Sequence, residues 1–479
     1  MRIFLSAGEA SGDAYAAALV EELRKVAERF VSTDYVILQR LAKAWGRPSL
    51  GTVFDFEAQL VEDSLEAVEL TLLLEDEFGF DIPDGELRNL DTVSNLLAFL
   101  RTRVEATVPV QTPLHLQFEG IGGARMSATI GDLLADSSTW GAISIIQSLK
   151  IAPRAYQGFL RAKKRLSSGP PGILVAIDFG FFNIRLCRFA KKRGWKVLYW
   201  MPPGSWRRDK QGKDLTAITD AIVTPFPWSA EILKGIGANA YFFGHPIKQL
   251  VRSRQVVHQA SADSRIAVLP GSRTHELEAT LPMIAALVEP NAGDWAGGFS
   301  KGVNHERLSP AAEVIQSTLE FAIAPNLDLE DIESRWRKVA PDRHDIFTQG
   351  DVYGVLDRAR AAIVCSGTAT IEAALMGCPH VVVYRVTKSM EREAKLIHFK
   401  MPKFISLPNI ILDRRLVPEL VGTEIDPKSI RAALEPLLDA GPEREAQLRG
   451  FQEIDDMLGP EDAITKTAEM IGEWVRQGV

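Results

Sequence analysis

The aspartate Asp178 closes the apolar run Ile173-Leu174-Val175-Ala176-Ile177. A carboxylate at the carboxyl end of a buried strand lies where α/β domains build ligand sites, and it suits a general base. It also suits a plain cap of the next turn, and both readings stand at this stage. Near the start, Gly8-Glu9-Ala10-Ser11-Gly12-Asp13 follows a second apolar run, Ile3-Phe4-Leu5. Its glycines let backbone approach a ligand closely, and the helix start beyond it could hold an acceptor phosphate. Glu9, Ser11 and Asp13 are the candidate contacts there; the alternative is simple helix capping by Ser11 or Asp13, a role Glu9 fits less easily. In the second half, Pro270-Gly271-Ser272-Arg273 follows the run Ile266–Leu269. A glycine turn with a fixed cation suits a diphosphate leaving group. Ser366-Gly367-Thr368 follows another run and opens a helix, where hydroxyls and amide N–H groups can hold a diphosphate. Glu372 comes one helical turn later, placed for ribose hydroxyls. The implied chemistry is group transfer, with a base on one side and a stabilised diphosphate on the other.

Positioning these groups requires alternating strands and helices. Residues 3–7 read as a buried strand and residues 14–25 as a helix with an apolar side at Ala17, Leu19, Val20 and Leu23. The pattern resumes with strands at 173–177 and 196–200, then repeats at 266–269, 321–324, 361–365 and 381–384. Two such sets predict an α/β protein with two Rossmann-like domains and ligands in the cleft between them. The polar stretch near 250–262 reads as the linker.

Residues 31–110 break the alternation. Between 31 and 100 stand fourteen acidic and four basic residues, a net charge of −10 inside a chain of net −7. One acidic module therefore interrupts a mildly basic protein. Tyr35 to Ala44 reads as a helix, Asp63-Ser64-Leu65 opens a second helix to Phe78, and Asp91-Thr92-Val93 caps a third. The predicted boundaries are 1–30 and 111–255 for the first domain, 31–110 for the insertion and 256–479 for the second domain.

The three cysteines, Cys187, Cys365 and Cys378, lack metal-type spacing and read as reduced, buried thiols. No His/Glu cluster of metalloprotease type is present, so no metal is expected. No apolar run is long enough to span a bilayer, and the N-terminus is not a signal peptide, which predicts a cytoplasmic protein. Nucleic acid is not an expected partner. Trp140 to Leu149 is aliphatic and is followed by Lys150, Arg154, Arg161, Lys163, Lys164 and Arg165. That arrangement reads either as a core helix with a solvated basic end or as a helix at an anionic membrane surface.

The inserted segment, residues 31–110, resembles an acyl carrier protein across its length, through Asp63-Ser64-Leu65, Glu69-Leu70 to Glu77-Phe78, Asp81-Ile82-Pro83-Asp84 and Asp91-Thr92-Val93. The resemblance implies a 4′-phosphopantetheine arm on Ser64. A serine at a helix start is accessible, and the helix dipole favours the phosphodiester; the alternative is a helix cap in a relic carrier used as a spacer. The rest of the chain resembles the lipid A disaccharide synthase family of GT-B-type glycosyltransferases. The matching stretches are Ala7–Asp13, Gly120-Ile121-Gly122-Gly123-Ala124-Arg125-Met126, Ile177-Asp178 with Asn183, Gly244-His245-Pro246, Leu269–Arg273 with Glu276 and Glu278, Ser366–Glu372, Tyr384-Arg385 and Ser406-Leu407-Pro408-Asn409.

That resemblance implies an inverting transfer of diacylated glucosamine from UDP to a diacylated glucosamine 1-phosphate, releasing UDP. It implies Asp178 as base, Arg273 on the diphosphate and peripheral contact with the inner face of the cell membrane. Asn409 reads as a donor-site contact or equally as a turn asparagine. Two departures bear on the acceptor: Phe181 replaces a second family aspartate, and Pro202-Pro203-Gly204-Ser205-Trp206 alters a Ser-Pro-Ser-x-Trp motif. Acyltransferases or carrier-protein synthases are expected partners of the carrier segment. Two other readings stay open at this stage. One is a transferase whose substrate is tethered to Ser64; the other is an inactive transferase scaffold bearing a carrier.

Overall fold

The computed structural model describes residues 1–29, 33–47, 64–79, 81–82, 92–104, 116–138, 140, 145–209, 212, 214–254, 265–288, 318–365, 367–396 and 402–477. Two all-parallel sheets organise the chain. The first contains β1 (Arg2–Ala7), β2 (Gln117–Gly122), β3 (Ala135–Asp136), β4 (Ile173–Ile177), β5 (Lys196–Trp200), β6 (Ala221–Thr224) and β7 (Ala240–Phe242), in the order β3-β2-β1-β4-β5-β6-β7. The second contains β8 (Ile266–Leu269), β9 (Leu319–Ile323), β10 (Ile346–Gln349), β11 (Ala361–Val364), β12 (His380–Arg385) and β13 (Glu419–Gly422), in the order β10-β9-β8-β11-β12-β13. Strands buried on both faces by helices become continuous apolar runs, which is why β4 and β8 were legible as IleLeuValAlaIle and IleAlaValLeu.

These are two Rossmann-like domains of GT-B type, and each sheet reverses its strand order once. In the first sheet the reversal falls between β1 and β4, paired in register from Ile3↔Ile173 to Ala7↔Ile177. In the second it falls between β8 and β11, paired from Ile266↔Ala361 to Leu269↔Val364. Ligands of open α/β sheets bind outside the strand ends at such reversals. The Gly8–Asp13 turn and Asp178 therefore flank one reversal, and Gly271–Arg273 and Gly367-Thr368 flank the other.

Between the helix Ala10–Arg29 and β2 lie the helices Thr33–Ala44, Ser64–Phe78 and Val93–Val104. They enclose their own core of Ile37, Leu41, Leu70, Leu74, Leu96 and Leu100. This is the small all-α bundle within the first domain.

The chain crosses back to the first domain at its end. The His245 amide donates to the Leu458 carbonyl at 2.9 Å, and Lys248 Nζ donates to the carbonyls of Asp455 and Gly459 at 3.0 Å each. The Gln249 amide oxygen accepts from the Ile464 N–H at 2.7 Å. Ile464, Ala468, Ile471 and Val475 of the last helix, Ala463–Arg476, share a core with Leu19 and Leu23 of the helix Ala10–Arg29.

Candidate active site

A cleft opens between the strand ends of the two sheets. Glu9, Ser11, Tyr15 and Arg125 line it from the first domain. Gly271, Arg273, Glu276, Gly367, Thr368 and Glu372 line it from the second.

The second-domain wall rests on two glycine turns. Gly271 (φ 108°) and Gly367 (φ 103°) hold left-handed backbone that L-residues rarely adopt. After Gly271, the Ser272 and Arg273 N–H groups both donate to Glu276 Oε2, at 2.9 and 3.3 Å. The Arg273 guanidinium then reaches in two directions. It donates to Glu276 at 3.0 Å within its own domain and to Glu9 at 3.1 Å across the cleft. Glu9 and Arg273, 264 residues apart in sequence, thus form a bridge between the lobes. Gly367 leads into the helix Thr368–Leu375, which carries Glu372. The Tyr353 hydroxyl donates to Glu372 at 2.9 Å. Burial raises the Glu372 pKa, and the Tyr353 hydrogen bond, Arg125 and Arg254 oppose the rise. Ser366 lies outside the described residues.

Asp178 ends β4 on unusual backbone. Asp178 (φ 47°) and Phe179 (φ 46°) are both left-handed, a conformation uncommon for any residue other than glycine. The turn is held from several sides. The Asp178 carbonyl accepts from Asn183 Nδ2 at 3.0 Å and from the Tyr199 hydroxyl at 2.9 Å. Its amide donates to the Trp200 carbonyl at 3.1 Å. Phe179 lies over Gly8, where an added Cβ would run into its ring. Asp178 is not among the residues lining the cleft, but its carboxylate feels Glu9, which is. Burial first and the Glu9 charge second push its pKa up to about 6, against the Phe179 N–H. A carboxyl tuned to that range is suited to taking a proton near neutral pH.

Two candidates take other positions. Asp13, expected at an acceptor site, is buried and does not line the cleft. Its carboxylate accepts from the N–H groups of Gly123, Arg125 and Met126 at 2.6, 2.9 and 3.1 Å, capping the helix Ala124–Ile130. Asn409 is 0% exposed and also absent from the wall. Its Nδ2 donates to the Val417 carbonyl and the Glu419 carboxylate at 2.9 Å each. Its Oδ1 accepts from the N–H groups of Leu416 and Val417 at 2.7 and 2.9 Å. Every polar atom of that side chain is spent inside the protein. His245 is likewise structural: Nδ1 accepts from the Ile247 N–H at 3.1 Å, and burial pushes its pKa down to about 3.

Tyr15, Arg125 and Tyr353 were not singled out from sequence. Arg125 stood within the quoted Gly120–Met126 stretch, but nothing local shows that its side chain reaches the cleft. The aromatic cluster beside Asp178 divides in two. Phe179 stacks on Phe182 at 5.4 Å and lies 6.0 Å from Trp140, whereas Phe181 is 78% exposed with the Arg185 guanidinium 3.9 Å over its ring.

Ser64 is the first residue of the helix Ser64–Phe78. The N–H groups of a first helical turn lack intrahelical partners and favour an added phosphate, so this position fits a phosphopantetheine. Among the described residues no helix is long and apolar enough to cross a membrane.

The family model for lipid-A-disaccharide synthetase matches residues 92–291 and 305–470. The model for a phosphopantetheine attachment site matches residues 47–100. The lipid-A-disaccharide synthase of Myxococcus xanthus (strain DK1622) is 30% identical over 406 residues, covering 82% of this chain and 97% of that one. Its counterpart from Synechocystis sp. (strain ATCC 27184 / PCC 6803 / Kazusa) is 26% identical over 416 residues, with the same two coverages. Among solved structures, the UDP-GlcNAc 2-epimerase from Neisseria meningitidis bound to UDP-GlcNAc aligns with a TM-score of 0.44 at 10% identity, covering 76% of this chain and 92% of that one. The chain belongs to the lipid-A-disaccharide synthase family of glycosyltransferases and carries a phosphopantetheine-attachment segment within its first domain.

Proposed function

We propose that the chain transfers a diacylated glucosamine from UDP to a diacylated glucosamine 1-phosphate with inversion, releasing UDP. Asp178 takes the proton of the attacking acceptor hydroxyl. The new bond forms at the sugar C1 as its bond to the diphosphate oxygen breaks, and the departing electron pair stays on UDP. Arg273, Gly367 and Thr368 hold the diphosphate, together with Ser366, and Glu372 takes the ribose hydroxyls. Glu9 and Ser11 lie on the acceptor side. Asp13 and Asn409 act through the backbone they hold.

One observation carries this reading: two strand-order reversals face each other across one cleft, with a cation and a helix start on one side and Glu9, whose charge the buried Asp178 feels, on the other. The exposed Phe181 and Trp206 support an acceptor pocket that departs from the family pattern. The helix Ile145–Leu166 exposes Tyr156 and Leu160 beside Lys164, which supports peripheral contact with an anionic membrane.

The test is UDP release with UDP-diacylglucosamine and diacylglucosamine 1-phosphate. Turnover that is lost in Asp178→Asn supports the assignment. UDP binding without turnover would leave only a scaffold.

Ser64 carries the 4′-phosphopantetheine in this reading, and the arm supplies a thiol that holds an acyl group as a thioester. Residues of the first helical turn orient its phosphodiester. Intact-mass measurement of the protein made with a phosphopantetheinyl transferase, beside Ser64→Ala, checks the attachment. An unchanged rate in Ser64→Ala would exclude a tethered substrate and leave the carrier as a docking module for acyltransferases.

A further inference from the structure

Two polar side chains on the first-domain wall have no hydrogen-bond or ion-pair partner among the described residues. Tyr15, on the helix Ala10–Arg29, is 2% exposed and lines the cleft. Its hydroxyl finds no hydrogen-bond partner among the described residues. The ring itself is fixed, with Trp200 6.1 Å away and His245 edge-on at 6.4 Å. Arg125 lines the same cleft, and its guanidinium has no ion-pair or hydrogen-bond partner among the described residues. Its backbone, by contrast, is pinned to Asp13 at 2.9 Å.

A buried hydroxyl without an acceptor costs desolvation free energy that a bound ligand recovers, so such groups mark places where something binds. Their surroundings locate the pair. Tyr15 and Arg125 both feel Glu372 from the second domain, and Tyr15 also feels Asp178. Tyr15 is therefore within electrostatic reach of both the candidate base and the candidate ribose ligand, and Arg125 within reach of Tyr15 and Glu372. Among the described residues no hydrogen bond or ion pair joins Glu372 to either group; its Oε1 accepts from Tyr353 at 2.9 Å. The guanidinium can only donate, and the phenol, kept neutral by burial beside carboxylates, donates as well. The complementary ligand is an anionic oxygen.

We propose that the Tyr15 hydroxyl and the Arg125 guanidinium together bind a phosphate-group oxygen of a substrate, either the diphosphate of the sugar nucleotide or the 1-phosphate of the acceptor. This rests on the glycosyltransferase reading and deepens it. It moves the first-domain anion contact away from the Gly8–Asp13 turn, where Asp13 is consumed by three N–H groups and Glu9 is itself anionic.

Tyr15→Phe keeps the ring and removes only the hydroxyl; Arg125→Gln removes the charge. Each variant, and the double variant, is titrated calorimetrically with UDP alone and with a short-chain diacylglucosamine 1-phosphate alone, and its melting temperature is recorded. Tyr15→Phe should weaken one ligand about 5- to 10-fold and Arg125→Gln should weaken the same ligand about 30-fold or more. The double variant should lose less than the product of the two, because both groups hold one anion. Tyr15→Phe should melt no lower than the parent. A response to UDP assigns the donor diphosphate; a response to the acceptor assigns its 1-phosphate. Wild-type affinities for both ligands in both single variants would overturn the proposal, as would effects falling on different ligands. Wild-type binding of both ligands with no UDP release from UDP-diacylglucosamine in the presence of the acceptor would sink the glycosyltransferase reading and leave the anion site standing. Binding of neither ligand by the wild type would sink both.

Discussion

Replacing Glu9 by Gln should move the acid limb of the reaction to lower pH. Asp178 is held at about 6 instead of the ordinary 3.8, with burial the larger cause and the Glu9 carboxylate the second. The net rise is about two pH units, after the Phe179 N–H has offset part of what burial and Glu9 add. Glu9, as the smaller of the two, should contribute about half a pH unit to one pH unit, the size expected of a like charge near a partly desolvated carboxyl. Removing that charge also frees Arg273 from its 3.1 Å bridge, and a freed cation acts in the same direction. The assay is UDP release, as kcat/KM from about pH 4.5 to 8.5, which reports the free enzyme's essential base. The wild type should lose about tenfold per pH unit below its limb near 6. Glu9→Gln should show the same slope with its limb near 5 to 5.5, whatever happens to the plateau. A phosphate monoester acceptor also titrates near pH 6, but its own pKa is the same for both enzymes, so the difference between them isolates the protein group. A limb that stays in place, or moves up, would refute the coupling of Glu9 to the base. A kcat/KM for Asp178→Asn within about tenfold of wild type would refute the assignment of the base itself.

Three further outcomes follow from the same geometry. Asp178→Asn should abolish transfer yet stabilise the protein at alkaline pH. A carboxyl raised from 3.8 to about 6 contributes stability that is complete below about 3.8 and lost as pH rises through 6. At pH 8 the variant should therefore gain up to about 3 kcal/mol over wild type, with the difference vanishing near pH 4 in urea denaturation; asparagine also tolerates the left-handed backbone there. Asp13→Ala should cost about 3 kcal/mol in the same measurement, since three N–H groups, two of them in buried hydrogen bonds, lose their acceptor. Asn409→Ala should destabilise by about 2–4 kcal/mol while the folded fraction binds UDP as before. Lost UDP affinity at full stability would instead make Asn409 a ligand contact.

The strand–turn–helix units were legible in the linear order of residues because each is local. A run such as Ile173–Ile177 can only be a buried strand or helix segment, and its flanking turn residues decide which. The helix beginning at Ser64 and the acidic bias around it are local too, and so was the separateness of the insertion. Short strands such as Gln117–Gly122 were not legible, because the glycines that look like a turn are there for close packing: a Cβ at Gly120 would meet the Leu5 carbonyl and Met126. Strand order lies beyond periodicity altogether, and strand order is what sets the Gly8–Asp13 turn beside Asp178 and Arg273 beside Gly367.

Residue type alone therefore determined that carboxylates, an arginine and glycine turns stood at strand ends, and that a helix began at Ser64 within an acidic segment. Only the tertiary structure decided how each was used. Asp13 meets amides more than a hundred positions away, Asn409 closes on its own loop, and Arg273 finds Glu9 from the opposite domain. The physical reason is that a polar side chain takes whichever partner the fold desolvates alongside it, and that partner is chosen by packing over distances no local pattern records.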